Sequence, residues 1–269
     1  MRDFLMWGNF KIYFMDILEA FLLGVVQGLA EFLPISSSGH LALFKNLLGV
    51  KMKNPLGFDV MLHFGTLLSV LFVMRDEVKK YLKSRKLISK VVISFLFTVP
   101  IALFLESVSD KVEENMLLLS FSFFFGALIL FSTRFNLSFE LSDFFKYAFV
   151  GVMQGVAAVP GISRSGATIS ASLAVGMNPQ QAFNFSFILS IPTIFSAIAY
   201  ELMKVFLKKE TFGDVSLESF FVSVFSSFIF GVISLIILRR IVIGLKLWLF
   251  GFYKIFISLI SLFIFFTHK

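Results

Sequence analysis

Cysteine is absent from this 269-residue chain, which also has only two tryptophans and six prolines. Without cysteine the protein has no disulfide, no thiolate metal site and no cysteine nucleophile. Charged residues are scarce as well, at 15% of the chain, against about 25% in an average soluble domain. No P-loop, dinucleotide-binding glycine motif or zinc-protease motif occurs, so the sequence gives no support to nucleotide-driven transport.

Hydrophobic residues, in contrast, make up 58% of the chain, and 39 of them are phenylalanine. The mean hydropathy is +0.91, and several stretches reach the roughly 20 apolar residues that span a bilayer. The sequence therefore predicts a polytopic membrane protein. The net charge of +7 fits basic residues at the ends of membrane helices better than a nucleic-acid partner, because no basic patch is interleaved with exposed aromatic residues.

The N-terminal segment, residues 1–15, lacks the uninterrupted apolar core and the small-residue cleavage site of a signal peptide. We expect it to be a leader that lies at the membrane interface, or to precede the true initiator, Met15.

An internal repeat is the most informative feature of the chain. Residues 24–40 read GVVQGLAEFLPISSSGH and residues 151–167 read GVMQGVAAVPGISRSGA, and the two align without a gap. In the same register, DVMLHFGTLLS from Asp59 falls on SFILSIPTIFS from Ser186. The chain is therefore predicted to contain two copies of one structural unit. Small and hydroxyl residues inside apolar sequence are costly in hydrocarbon unless they line a polar cavity enclosed by protein.

The predicted fold is an all-α integral membrane protein with a single membrane domain. Two inverted-topology repeats, residues 16–134 and 135–269, each contain one re-entrant helix hairpin plus three transmembrane helices. The hairpins are residues 17–49 and 144–176, because both are apolar but broken by proline, glycine and serine at matching places. The spanning helices are predicted near 57–75, 88–106, 115–133, 180–203, 217–238 and 245–266.

Charged connectors set the predicted orientation. The connector at 75–90 is the most basic and should be cytoplasmic. The acidic loop at 106–114 and both termini should then be outside, with further connectors at 204–214 and 239–240. An odd number of spans per repeat inverts the second copy, so the hairpins should enter from opposite faces with their tips meeting near the midplane.

Gln27 and Glu31 lie four residues apart and share one helix face. A carboxylate in an apolar membrane segment indicates a functional site, although it could also serve only to bond a neighbouring helix. The second copy has Ala158 in place of Glu31, which favours a task performed once in the molecule.

Residues 34–40, PISSSGH, follow directly. Pro34 should end the helix, and the serines could cap the next helix or bind an anion at its N-terminus. His40, just inside that helix, is more typical of proton handling than of a satisfied core histidine, because it lies close to three hydroxyls and Glu31.

The second copy supplies PGISRSGAT, residues 160–168, with Arg164 in the position of Ser37. A buried guanidinium needs an anionic partner, and its planar fork suits phosphate oxygens. Glu31 could be that partner, but the surrounding hydroxyls and amides exceed what one carboxylate needs, which favours a phosphate. Together the two segments carry the equipment for phosphoryl transfer, which depends on positioning and charge neutralisation.

These motifs resemble those of the bacterial undecaprenyl pyrophosphate phosphatases, the bacitracin-resistance family. Residues 24–40 are similar to its (Glu/Gln)-x-x-x-Glu, serine-run and histidine signature, and residues 160–168 to its Pro-Gly-x-Ser-Arg-Ser-x-x-Thr motif. LHFGTLL (62–68) and GMNPQQAFNFSFILSIP (176–192) extend the similarity. The resemblance implies a membrane enzyme that hydrolyses undecaprenyl diphosphate to undecaprenyl phosphate and inorganic phosphate, which recycles the cell-wall carrier lipid and confers bacitracin resistance.

The resemblance further implies dependence on Mg²⁺ or Ca²⁺ and an outward-facing active site in the bacterial cytoplasmic (inner) membrane. The partners are a polyprenyl diphosphate substrate and membrane lipid, with a homodimer left open. Glu31 with Gln27 would hold the cation, although Gln27 offers no second carboxylate. Arg164 would clamp the diphosphate. The other residues assigned to phosphate binding are Ser36, Ser38, Ser163, Ser165 and Thr168.

We assign Ser37 as the nucleophile and His40 as the group that takes its proton or protonates the leaving lipid phosphate. The alternative is that His40 attacks directly. Two other functions compete: a polyprenyl-phosphate flippase or anion transporter, which also uses inverted repeats, and an acid-phosphatase-like lipid phosphatase. The latter needs a histidine six residues after its arginine, where this chain has Ser170.

Overall fold

The computed structural model describes residues 17–48, 55–135, 138–208 and 216–267, and this part of the chain is helical, without any strand. The predicted leader, residues 1–15, lies outside the described residues. The first seven helices are α1 Ile17–Phe32, α2 Ser37–Leu48, α3 Pro55–Val73, α4 Arg75–Leu82, α5 Arg85–Phe104, α6 Glu106–Glu114 and α7 Met116–Ser132. A 3₁₀ turn, Thr133–Phe135, precedes α8 Asp143–Val156, α9 Arg164–Ala174, α10 Pro179–Lys208, α11 Leu217–Ile243 and α12 Leu249–Thr267.

Five helical segments are long and apolar enough to cross a membrane. They coincide with five of the predicted spans: Arg85–Phe104, Met116–Phe135, Pro179–Met203, Leu217–Ile243 and Leu249–Thr267. The sixth, predicted at 57–75, falls on α3, of which Val60–Val73 is a shorter apolar stretch. The prediction of an all-α, multi-pass membrane protein is confirmed.

All four predicted connectors contain helical residues, since α10 continues into the one at 204–214 as far as Lys208. The charged stretches at 75–90 and 106–114 contain α4 and α6, and α6 forms because its buried Val112 packs onto the core while its other side stays polar. The placement of residues 239–240 in a connector was wrong. Both arginines lie on α11, which continues to Ile243, and Arg239 remains exposed and donates to Gln180 Oε1 at 3.2 Å.

Both predicted hairpins are helix–turn–helix units. The first is α1 and α2 joined by residues 33–36, and the second is α8 and α9 joined by residues 157–163. Pro34 and Pro160 lie in the turns, where a missing N–H and a fixed φ are tolerated. Their re-entrant insertion into the bilayer stays a prediction.

Each hairpin packs its first helix on a spanning helix from the other half of the chain. Helix α1 packs on α11 and α8 packs on α5, while α3 meets α10 and α7 meets α12. Equivalent glycines allow the close approach: a Cβ on Gly28 would lie 2.7 Å from Ser227 O, and one on Gly155 would lie 2.6 Å from Ile101 Cβ. Small residues let membrane helices pack closely in this way. Because helices of one half pack against helices of the other half, the two turns come together.

Candidate active site

Serine caps begin the second helix of each hairpin. Ser36 Oγ accepts from Gly39 N at 3.3 Å, and Ser163 Oγ accepts from Gly166 N at 3.3 Å. These are N-cap bonds at α2 and α9. Residues at the starts of both helices line one small cavity. The free N–H groups and positive dipole ends of two helices therefore border the same cavity, which favours an anion there.

The two turns are bonded directly to each other. Gly161 N donates to Ser36 Oγ at 2.9 Å, so one hydroxyl both caps α2 and binds the opposite turn. Ser36 has a φ of 75° and Gly161 a φ of 95°. The left-handed conformation costs a non-glycine residue about 1–3 kcal/mol and recurs at functional sites, where surrounding contacts hold it in place. Ser36 has such contacts on both sides.

Glu31 accepts hydrogen bonds from three side chains. Arg164 Nη2 donates to Oε1 at 2.6 Å. Ser37 Oγ donates to Oε2 at 3.0 Å, and Gln27 Nε2 donates to the same oxygen at 3.2 Å. Only 9% of the Glu31 side chain and 13% of the Arg164 side chain is exposed. Such a charge-assisted pair is strong because little water screens it, and the carboxylate is placed to accept the Ser37 proton.

Arg164 keeps one unused edge of its guanidinium group. Its Nη1 atom is buried and has no hydrogen-bond partner among the described residues. A buried donor without a partner is costly and needs an explanation. Because Arg164 lines the cavity beside the two helix N-termini, an anionic ligand in the cavity would supply the missing acceptor.

The cavity brings together most, but not all, of the residues predicted for the site. The residues that line it are Ala30, Glu31, Ser36, Ser37, Ser38, Ala157, Ile162, Ser163 and Arg164. Gln27 lies behind Glu31, to which it donates.

The ring nitrogens of His40 bond to groups other than the Ser37 hydroxyl. His40 Nδ1 lies 2.8 Å from Ser36 O, its Nε2 lies 2.7 Å from the Tyr253 hydroxyl, and its ring stacks on that of Tyr253. Only 7% of the residue is exposed. Both ring nitrogens of His40 are therefore bonded to other groups, and neither bonds to the Ser37 hydroxyl. His40 was predicted from the sequence to take the proton of that hydroxyl.

Ser165 and Thr168 are also outside the cavity. Ser165 Oγ lies 3.1 Å from Ser163 Oγ, and Thr168 Oγ1 donates to Arg164 O at 2.8 Å and bonds to Ser186 Oγ at 2.5 Å. Both residues are fully buried. This structure places them behind the α9 N-terminus, where they support the first turn of α9 and Arg164 on it.

Three neighbouring residues were missed by sequence reasoning. His63 Nδ1 lies 3.4 Å from Gln27 Nε2, while Tyr253 and Lys254 approach the two turns from α12. A polar side chain within an apolar membrane segment was the available signal for His63 and Lys254. Nothing in the local pattern indicated which turn the α12 residues would reach.

The donor set fits a divalent cation only together with substrate. Among the described residues, no group of three or more histidine, aspartate, glutamate or cysteine side chains could hold a metal. Glu31 is the carboxylate that lines the cavity, and Gln27 adds an amide. Mg²⁺ commonly binds through one or two carboxylates plus substrate phosphates, so Glu31 and a diphosphate could share the ion.

Comparison with known proteins places the chain in a family. The model of the family "Bacitracin resistance protein BacA" matches residues 20–260, a range that contains both turns and reaches into α12. A protein named undecaprenyl-diphosphatase from Carboxydothermus hydrogenoformans is 36% identical over 247 residues, which cover 89% of this chain and 94% of the relative.

Relatives with the same name come from other organisms. One from Methanococcus maripaludis (strain C7) is 36% identical over 249 residues, covering 88% of this chain and 95% of its own length. One from Borrelia recurrentis is 33% identical over 270 residues, covering 92% and 97%. Since the match runs through nearly the whole of each sequence and includes the residues around Glu31 and Arg164, this chain belongs to the BacA bacitracin resistance protein family.

Proposed function

We propose that this chain is an undecaprenyl-diphosphate phosphatase, which releases inorganic phosphate and leaves undecaprenyl phosphate. The observation that most supports this function is the arrangement around Glu31. Ser37 donates to one carboxylate oxygen and Arg164 binds the other. Arg164 Nη1 has no partner among the described residues and can bind an anion. The names of the relatives support this activity. In the cell, the reaction would recycle the cell-wall carrier lipid and, as the family name indicates, protect against bacitracin.

The first chemical step is attack by the Ser37 hydroxyl on the terminal phosphorus. The Oγ–P bond forms as the P–O bond of the anhydride breaks, and the hydroxyl proton passes to Glu31 Oε2, which it already faces at 3.0 Å. A hydroxyl is a weak nucleophile until a base removes its proton. The departing lipid phosphate then takes that proton, which returns Glu31 to the carboxylate form.

The second step is hydrolysis of the serine phosphate. Water attacks phosphorus and gives a proton to Glu31, which passes it to Ser37 Oγ as the P–Oγ bond breaks. Inorganic phosphate leaves, and the serine and carboxylate are restored. One residue can serve in both half-reactions because it contacts the hydroxyl directly.

Charge stabilisation comes from Arg164 and the two helix N-termini. The guanidinium can bind a phosphoryl oxygen through Nη1 while Nη2 stays on Glu31. Donors fixed in a site that excludes water stabilise developing charge without reorganising. Glu31, with Gln27 beside it, would hold Mg²⁺ or Ca²⁺, and the ion would supply further neutralisation of phosphate charge.

Phosphate release tests both the activity and the metal requirement. Purified protein in detergent should release phosphate from undecaprenyl diphosphate in Mg²⁺ or Ca²⁺, and a chelator should abolish the release reversibly because one carboxylate holds the ion weakly on its own. No release in any cation, from protein that still binds the lipid, would favour the flippase or transporter. Full activity after chelation would remove the cation from the proposal.

We also propose that the two halves are inverted repeats, with the active site towards the outer face. The equivalent Gly28 and Gly155 pack on helices of the opposite half, as an internal two-fold relation requires. The acidic helix α6, predicted outside, lies beside the site: Ser109 Oγ donates to Ala158 O at 3.3 Å. The basic helix α4 instead meets α3, α5 and α10.

Because the chain has no cysteine, single cysteines can report this orientation without background. Lys79→Cys on α4 and Asp110→Cys on α6 are both at exposed positions. In intact cells, a membrane-impermeant maleimide should label the variant at 110 and leave the one at 79 unlabelled until the membrane is opened. Labelling of both from outside, or of position 79 alone, would contradict the orientation.

A further inference from the structure

Lys254 is a fully buried lysine that the proposed reaction does not use. It lies on α12 with 1% of its surface exposed, and no ion pair to it is found in the described part of the chain. A buried ammonium group is costly unless it is compensated. Its Nζ instead donates to the carbonyl oxygen of Gly161 at 2.9 Å, and Gly161 lies in the turn that leads into Arg164.

The surroundings of Lys254 are shaped for this contact. A Cβ on Gly126 of α7 would lie 2.5 Å from Lys254 Nζ and 2.8 Å from Gly161 O. The absence of a side chain at position 126 therefore leaves the space in which the ammonium meets the carbonyl. Ser122, one turn earlier on α7, donates to Pro160 O, so the same face of α7 supports the turn beside it.

The contact continues from Gly161 to the other turn. The amide of Gly161 donates to Ser36 Oγ at 2.9 Å, on the residue before Ser37. The neighbour of Lys254 reaches that first turn independently, because the Tyr253 hydroxyl lies 2.7 Å from His40 Nε2 and His40 in turn contacts Ser36 O. Consecutive residues of α12 thus hold both turns.

We propose that Lys254 is a positioning residue for the reaction, acting through Gly161 on the spacing between the two turns. The proposal rests on the proposed phosphatase function for its kinetic consequence, while its structural consequence stands apart from it. Loss of the ammonium group frees the Gly161 carbonyl, loosens residues 157–163 and lets Arg164 move relative to Ser37. Small displacements of this kind raise the barrier more than they weaken ground-state binding.

The test compares two variants. Lys254→Met keeps a side chain of similar length but removes the amino group and its hydrogen-bond donors, whereas Lys254→Arg keeps a basic group that can donate. Lys246→Met makes the same chemical change at an exposed position. We expect Lys254→Met to lower kcat by about 10- to 100-fold with little change in KM, Lys254→Arg to recover most of that loss, and Lys246→Met to behave as wild type.

Hydrogen–deuterium exchange gives a readout that does not depend on activity. Lys254→Met should speed exchange in the peptide covering 157–163, because it loses the bond that holds the turn. If Lys254→Met does not fold, Gly126→Ala keeps the lysine but crowds its contact, and it should produce the same faster exchange and lower kcat. Wild-type exchange and turnover in a folded Lys254→Met or Gly126→Ala protein would overturn the proposal. Absence of phosphatase activity in the wild type, with faster exchange in the variants, would overturn the function alone.

Discussion

Replacing Arg164 with lysine will lower kcat about 100- to 1,000-fold, the loss that follows removal of one preorganised donor to a developing oxyanion. In the structure Nη2 of the guanidinium donates to Glu31 at 2.6 Å, and Nη1 has no partner among the described residues and can bind a ligand. An ammonium group retains the charge but has a single nitrogen, so it cannot present two nitrogens with this fixed geometry. The measurement is steady-state phosphate release by purified Arg164→Lys protein.

Arg239→Lys is the matched control. Arg239 is exposed on α11, where it donates to Gln180 Oε1, and its replacement should leave turnover unchanged. Wild-type turnover in a folded Arg164→Lys protein would show that the guanidinium fork does not bind the transferred phosphoryl group.

Replacing Ser37 with alanine will reduce turnover by more than about 1,000-fold, in line with the loss of a catalytic nucleophile elsewhere. The hydroxyl is the only group lost, because Glu31 keeps its contacts with Arg164 and Gln27. Substrate binding should persist, and the protein should lose no more than about 0.5–1.5 kcal/mol of stability from one hydrogen bond. Lipid binding and thermal unfolding, measured beside turnover, separate these effects.

Ser89→Ala is the control for this change. Ser89 lies on the exposed start of α5 and donates only to Lys86 O at 2.9 Å. Substantial turnover in Ser37→Ala, together with its loss in His40→Ala, would transfer the role of nucleophile to the histidine.

The contact between Glu31 and Arg164, which joins the two motifs, could be predicted from the sequence. The repeat places Arg164 on the position of Ser37, and the i, i+4 spacing puts Gln27 on the face of Glu31. A buried cation and a buried anion in the two copies of one repeated motif are expected to meet, because neither is tolerated alone in an apolar surrounding. The helical spans were equally readable, since apolar length decides them.

The hydrogen-bond partner of His40 could not be predicted from the sequence. The proximity of His40 to Ser37 in the chain suggested a proton transfer between them, but the partner that it meets, Tyr253, is more than 200 residues away. The rotation of α12 about its axis decides that contact, as it decides the bond from Lys254 to Gly161. These tertiary contacts depend on how α12 packs against α7, and the hydrophobic periodicity of the sequence does not show them.

The helical character of α4 and of the end of α11 was missed for a different reason. Charge at 75–90 and at 239–240 was interpreted as a break in structure. Charged residues in fact mark where a helix leaves the apolar layer, and lysine and arginine are good helix formers. The backbone bonds of α11 therefore continue through Arg240 until Gly244.

Trapping the covalent intermediate tests the central claim most directly, namely that Ser37, held by Glu31, is the group that takes the phosphoryl. Purified enzyme is mixed with undecaprenyl diphosphate labelled on its terminal phosphate and quenched within one turnover in denaturing detergent at mildly alkaline pH. Portions are then treated with acid or with strong base, digested and mapped by mass spectrometry. The account predicts a phosphate on Ser37 that is stable to acid and labile to strong base, and that is absent from Ser37→Ala. An acid-labile, base-stable phosphate on His40 would contradict it.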